Sequence, residues 1–372
     1  MIFLQERDFR QRIAIAIGTR PEGIKLLPLV KAMRRYGLSP FVVASGQHNE
    51  LLTGVFDAFE ETPDIRLPPL SFGENLPSLL SHLISALADT WRRISPSLVV
   101  VQGDTATAYA AALSAFLLRI PILHVEAGLR SGDSFSPFPE ESFRKAIALM
   151  ALFHIAPTLQ AMEHLLAEGI PRKRIFLLGN TVEDALHMLL PDREPTGKTI
   201  LFTLHRREHS EETMRRVFSA VRILSERFPS YRILYPVHPS PRVRRVAEET
   251  LGEVSAIRLA GPMCVKEFYS ALAKAPLVLT DSGGVQEEAA LLGVPALVLR
   301  ENTERENELL AGNVILGGTD PQRILSLASE MLLRPRKKRK ERRYGSPCNA
   351  ICKVLLSFKA NGFDMPPLFR EF

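Results

Sequence analysis

The sequence predicts an α/β protein of two halves, each a mostly parallel sheet with helices on both faces. Three observations carry this. Short apolar runs alternate with amphipathic or small-residue stretches along almost the whole chain. The alternation passes a polar, proline-containing connector, Pro191–Gly197, and continues in the same style beyond it. At 372 residues the chain exceeds one small core and fits two domains of common size.

In order, Ile13–Ile17 reads as the first strand, turning at Gly18, and Leu26–Tyr36 as a helix with Leu27, Val30 and Met33 at helical spacing. Pro40–Ala44 is the second strand, Leu79–Ile94 a helix, and Leu98–Val101 a strand that delivers Asp104. Thr107–Leu118 is a small-residue helix, Ile120–Val125 a strand that delivers Glu126, and Glu141–Phe153 a helix. Glu140 falls in the loop leading into that helix. The apolar stretch Ala146–Ala156, which contains His154, is read as buried helix, being too short to span a membrane. Ile175–Leu178 is a strand followed by a turn at Gly179–Asn180, and the two halves divide near residue 180. The second half contains strands at Thr199–Thr203, Arg232–Pro236, Leu277–Thr280 and Ala296–Leu299. Its helices are Thr213–Phe228, Val265–Ala273, Val285–Leu292 and Pro321–Leu333. A cleft between two such halves is a preferred place for a ligand.

Composition excludes several classes. Hydrophobic residues make up 46% and charged residues 24%, which is ordinary for a soluble globular protein, and the start MIFLQERDFRQR lacks a signal-peptide pattern. Cys264, Cys348 and Cys352 offer neither a disulfide framework nor zinc spacing, so a cytoplasmic protein is expected. The net charge of +6 is local: Arg334–Arg343 holds eight basic residues and one acid, leaving the remainder at −1. No aromatic residues interleave that run, so it reads as a solvated helix end or linker and no nucleic-acid partner is expected. GxGxxG after the first strand is absent, as is the phosphate-loop pattern, which argues against a nicotinamide cofactor.

Four constellations carry chemistry. GTRPEGIK (Gly18–Lys25) places Arg20 and Lys25 at a helix start whose N–H groups attract anions. Asp104, Glu126 and Glu140, with His124, Arg130 and Arg144 nearby, gather carboxylates at strand ends, where open α/β sheets build their sites. Such neighbours push one another's pKa values apart and suit acid and base roles. His205 follows a strand and precedes two arginines, a combination suited to proton transfer or phosphate contact. In TDSGGVQEEA, Ser282–Gly283–Gly284 forms a helix start able to hold a diphosphate, and Glu287 or Glu288 can reach a ribose diol.

These residues carry a family resemblance. GTRPEGIK, SGQHNELL, QGDTATA, HVEAGLRSGD, SPFPEESFRK, GNTVEDAL, HRRE, PVHPSP, TDSGGVQEEA and GTDPQRI occur in the order in which they stand in the non-hydrolysing UDP-N-acetylglucosamine 2-epimerases, which the chain resembles from its first strand to residue 324. GPMCVKEF, TEREN and TLHRRE depart from the family pattern locally. The resemblance implies two Rossmann-like domains in a GT-B arrangement with the active site in the interdomain cleft: residues 1–180, with 345–372 packing back on them, and 181–344. It implies epimerisation at C2 of the UDP-sugar through UDP elimination and a 2-acetamidoglucal, with no cofactor and no metal. Asp104, Glu126, Glu140 and His205 match the family's catalytic residues. Arg20, Lys25, Arg144, Ser282, Gly283, Gly284, Glu288 and Arg305 match its substrate-binding residues. Gln47 and His48 match part of a site where a second UDP-N-acetylglucosamine activates bacterial members. A homodimer, a UDP-sugar partner and no membrane partner are expected on the same ground. The alternatives left open are a 2-epimerase of a related UDP-sugar such as a diacetamido-uronic acid, a GT-B glycosyltransferase, and a non-catalytic UDP-sugar sensor.

Overall fold

The structure, a computed structural model, describes residues 12–47, 49–69, 75–135, 137–190, 197–204, 209–301, 312–334 and 345–360. The chain divides into two compact units, Met1–Ala185 with Arg342–Phe372, and Leu186–Glu341.

In the first unit the strands are β1 (Arg12–Ile17), β2 (Ser39–Ala44), β3 (Ile65–Arg66), β4 (Leu98–Gln102), β5 (Ile122–Val125), β6 (Phe153–Ala156) and β7 (Ile175–Leu177). All pair in parallel, in the order β3-β2-β1-β4-β5-β6-β7. Strand order reverses between β1 and β4, and the crevice at such a point, outside the carboxyl ends of the strands, is where open α/β sheets bind ligands. The helices are α1 (Arg20–Arg35), α2 (Asn49–Ala58), α3 (Leu76–Ile94), α4 (Ala106–Leu117), α5 (Glu140–Met150) and α6 (Leu159–Ala167), and α7 (Val182–Leu189) begins in this unit and ends in the second. Strand β4, LVVVQ, is buried along its whole length, as a parallel strand covered on both faces must be. Half of helix α4 is alanine, which suits its burial along most of its length, between α3 and α5. Trp91 of α3 is fully buried and donates its indole N–H to Ser114 Oγ of α4 at 2.9 Å.

The second unit repeats the plan with β8 (Thr199–Thr203), β9 (Arg232–Pro236), β10 (Ile257–Ala260), β11 (Val278–Thr280), β12 (Ala296–Val298) and β13 (Val314–Leu316). Their order, all parallel, is β10-β9-β8-β11-β12-β13, with the reversal between β8 and β11. Its helices are α8 (Glu211–Arg227), α9 (Pro241–Leu251), α10 (Val265–Lys274), α11 (Gly283–Leu292) and α12 (Pro321–Leu333). Both units are thus Rossmann-like. The last described helix, α13 (Pro347–Ala360), belongs to the first unit, where it packs on α1. Its Cys348 N–H donates to Asp184 Oδ2 at 2.8 Å. Among the described residues, no helix is long and apolar enough to cross a membrane.

The structure corrects the reading of Ala146–Ala156 as one buried helix. Helix α5 ends at Met150, Ala151 turns to extended backbone, and Phe153–Ala156 becomes β6 between β5 and β7. A short apolar run bears no period that separates a buried strand from a buried helix. Glu140 is not in a loop but is the first residue of α5.

Candidate active site

The first unit concentrates charge at the carboxyl ends of β4 and β5. Glu126 is the residue after β5, and its backbone adopts φ +61°. That is left-handed space, which a side chain with a Cβ enters at a cost of about 1–3 kcal/mol and which clusters at functional sites. The carboxylate is buried, paired with the buried Lys25 Nζ of α1, and its Oε2 also accepts from Gln102 Nε2 at 2.7 Å. A charge withdrawn from water this far needs such partners.

Asp104 stands two residues past β4, on the neighbouring strand end. Its Oδ2 lies 2.5 Å from Arg144 Nη2 of α5. Arg144 is buried, and its other arm donates to Glu141 Oε2 at 2.9 Å, which also accepts the Ser131 N–H at 3.1 Å. Two carboxylates at adjacent strand ends are thus each held by a cation from a different helix. Glu140 begins α5, half-buried and next in sequence to Glu141, four residues before Arg144. Arg130 does not join the set: it makes a two-pronged pair with Glu168, at 2.7 and 2.6 Å, and that guanidinium holds the Glu168 carboxyl below its ordinary range.

The β1–α1 turn differs from the anion cradle its sequence suggested. The Gly18 and Thr19 N–H groups are taken by Glu22 Oε2, at 3.0 and 2.7 Å. The anion at this end of α1 is the protein's own carboxylate. Glu22 also accepts the Thr19 hydroxyl at 2.8 Å and, through Oε1, the Thr105 hydroxyl at 2.7 Å. It is fully buried, and burial raises its pKa to about 7 against the opposing pull of these hydrogen bonds. Gly18 must be glycine: a Cβ there would lie 2.0 Å from Thr107 Oγ1 and 2.4 Å from Ser45 Oγ. Thr107 donates to Gln47 Oε1 at 2.7 Å and bonds Ser45 Oγ at 2.7 Å, which places Gln47 beside the same turn. Arg20, the first residue of α1, is half-buried. His124, buried in β5, meets the Gly103 carbonyl through Nε2 at 2.8 Å. Burial lowers its pKa to about 4, so near pH 7 the ring is neutral and Nε2–H is the donor.

In the second unit, Asp281 and Ser282 follow β11 at the reversal of strand order. Ser282 precedes Gly283 as the N-cap of α11 without a side-chain capping bond, while its N–H donates to Thr280 Oγ1 at 3.0 Å. A Cβ on Gly284 would meet, among the described residues, nothing nearer than Ser282 Oγ at 4.0 Å, while Gly283 beside it is buried. Glu288, one turn further on, is buried and accepts the Tyr269 hydroxyl at 2.6 Å. Buried Asp281 lies 3.5 Å from His209 Nε2. Tyr235 donates to the Leu204 carbonyl at 2.9 Å, and burial raises its pKa. His205, Arg305 and His48 lie outside the described residues.

Sequence reasoning passed over Glu22, Gln102, Glu141 and Tyr269. The T-x-x-E spacing of Thr19 and Glu22 was a readable capping box, and Glu141 stands three residues before Arg144 on a helix. Gln102 and Tyr269 had no local signal; only the packing of distant elements brings them to Glu126 and Glu288.

A sequence model of the family described as UDP-N-acetylglucosamine 2-epimerase matches residues 31–355. The UDP-N-acetylglucosamine 2-epimerase of Bacillus subtilis is 39% identical over 345 residues, covering 90% of this chain and 91% of that protein. The crystal structure of UDP-GlcNAc 2-epimerase from Neisseria meningitidis bound to UDP-GlcNAc superposes with a TM-score of 0.86 at 32% identity, over 94% of this chain and 100% of that one. The Methanocaldococcus jannaschii UDP-GlcNAc 2-epimerase in complex with UDP-GlcNAc and UDP gives 0.83 at 30% identity, over 93% and 99%.

Proposed function

Because the chain belongs to the UDP-N-acetylglucosamine 2-epimerase family, we propose that it interconverts UDP-N-acetylglucosamine and UDP-N-acetylmannosamine. The C2 proton of the sugar is not acidic, so C1–O cleavage runs ahead of proton removal. UDP departs with the C1–O electron pair while a base takes the C2 proton, leaving 2-acetamidoglucal. UDP then adds back to C1 as a proton is delivered to the opposite face of C2, and the reaction closes with atoms and charge balanced. Glu126 and Asp104, with Glu140, supply the carboxylates that face the positive charge on the ring and carry the proton. Lys25 and Arg144 hold two of those carboxylates and, with Arg20, meet the sugar and diphosphate. Ser282, Gly283 and Gly284 receive the diphosphate at the start of α11. Glu288, aimed by Tyr269, holds the ribose diol. His205 and Arg305 contact the diphosphate.

The observation that carries this reading is Glu126: a buried carboxylate held in left-handed backbone and paired with a buried lysine. A purely structural salt bridge has no need of that backbone strain. Proton NMR with UDP-N-acetylglucosamine in deuterated water tests the reading. UDP-N-acetylmannosamine carrying deuterium at C2 is the expected product. Free sugar with UDP, or no change to a bound substrate, would overturn it.

A further inference from the structure

The β1–α1 and β4–α4 turns flank the point where the first sheet reverses strand order, and one side chain spans them. Glu22 takes the Gly18 N–H, the Thr19 N–H and the Thr19 hydroxyl on one oxygen and the Thr105 hydroxyl on the other. A helix cap requires only the Thr19 N–H. The Thr105 bond is of another kind, joining residues 83 positions apart. Thr105 directly follows Asp104. Lys25 stands three positions after Glu22, on the same face of α1. Each end of the link is therefore adjacent to a charged member of the site.

We propose that Glu22 is a positioning residue for the C2 chemistry, fastening the two turns so that the Lys25–Glu126 pair and Asp104 keep a fixed relation. The inference rests on the function proposed above for that carboxylate cluster. Two further observations support it. Among the described residues, the four groups bonded to Glu22 are neutral N–H or O–H donors, and the side chain is fully buried. A buried carboxyl without a cation costs more than a cap returns. The turn it closes is also without slack, since Gly18 has no room for even a methyl group. Small displacements of reacting groups are expensive in rate, so a rigid join at this place acts on turnover rather than on nucleotide affinity.

Glu22→Ala, Glu22→Gln and Thr105→Val separate the possibilities. Glutamine can still accept from Gly18 and Thr19 and donate its amide to Thr105 Oγ1. Valine breaks only the far end of the link, together with the Thr105 cap of α4. In Glu22→Ala, kcat is expected to fall about a hundredfold with KM and UDP affinity within about threefold of the parent, because an ångström of misplacement costs about that much. Glu22→Gln is expected to restore at least about a tenth of the parent kcat, and Thr105→Val to lose about tenfold. A folded Glu22→Ala enzyme with unchanged kcat would overturn the proposal. So would a loss of UDP affinity in parallel with kcat. Should Glu22→Ala fail to fold, Thr105→Val decides: unchanged kcat overturns the proposal. Hydrogen exchange on the same proteins reads the link without reference to activity, and faster exchange is expected at both 18–19 and 103–105 in Glu22→Ala. If the parent enzyme makes no UDP-N-acetylmannosamine, the functional reading fails by itself and exchange alone judges the link. Unchanged exchange at 103–105 would then sink it.

Discussion

At the scale of single residues, the acids were legible and their partners were not. Asp104 and Glu126 stand just past apolar runs, and that placement points to a strand end whatever else the chain does. Nothing local announces that Lys25, 101 positions away, closes on Glu126. Glu126→Ala removes the carboxylate facing a buried lysine and is expected to lower unfolding free energy by about 3 kcal/mol and abolish epimerisation. Combining Lys25→Met with Glu126→Gly removes both charges and suits the φ of +61°. Urea denaturation should then recover at least about half of the lost stability while the C2 exchange assay stays silent. Tyr269→Phe deletes the hydroxyl that bonds Glu288 at 2.6 Å. Steady-state kinetics should show KM raised about fivefold to tenfold, the worth of one buried hydrogen bond, with kcat little changed.

At the scale of elements, the glycines separate two kinds of helix start. The start of α1 is closed by Glu22 and packed against Thr107, whereas at the start of α11 a Cβ on Gly284 would meet nothing nearer than 4.0 Å among the described residues. Gly18→Ala is expected to lose about 2 kcal/mol by overpacking, read as a lower unfolding midpoint. Gly284→Ala should instead gain about 0.5 kcal/mol from helix propensity and lose about tenfold in UDP affinity by calorimetry. The same substitution, opposite in its expected effect on stability at two glycine-containing helix starts, tests whether the backbone N–H groups that receive the diphosphate are those of α11 and not those of α1. Element type was readable where a run was long and periodic, as in Thr213–Phe228, or rich in β-branched residues and closed by a turn residue, as in Leu98–Val101 ahead of Gly103. It failed at Phe153–Ala156, four residues whose strand character comes from β5 and β7 on either side. The edge strands β3, β10 and β13 are too short to carry a period of their own.

At the scale of the whole molecule, helix α13 returns from the chain's far end to complete the first unit, burying Cys348, Ile351, Cys352 and Leu355. Deleting the chain from Pro347 should destabilise that unit by more than about 5 kcal/mol while the second unit still binds UDP, measured by denaturation and calorimetry. Stability should also follow pH in two opposed ways. Burial holds His124 and His154 at about 4 and about 3, below the ordinary 6.5, so acidification charges them first in the unfolded chain. Stability falls as pH drops from 6.5 toward 4, by on the order of 3 kcal/mol for His124 alone. Glu22 acts in reverse: with its pKa raised from 4.5 to about 7, the folded state holds the proton longer, and stability falls as pH rises through that window. Unfolding midpoints across pH 4–7.5 should show the second slope vanish in Glu22→Gln. The sequence by itself determined two parallel α/β halves, the acids at their strand ends and the family, because apolar period, turn residues and motif order are local properties that survive without contacts. The tertiary structure alone decided which cation meets which acid, that Glu22 reaches across to Thr105, and that Tyr269 aims Glu288. Those pairings join residues far apart in the chain, and only the winding of strands about each reversal point brings them within hydrogen-bond reach.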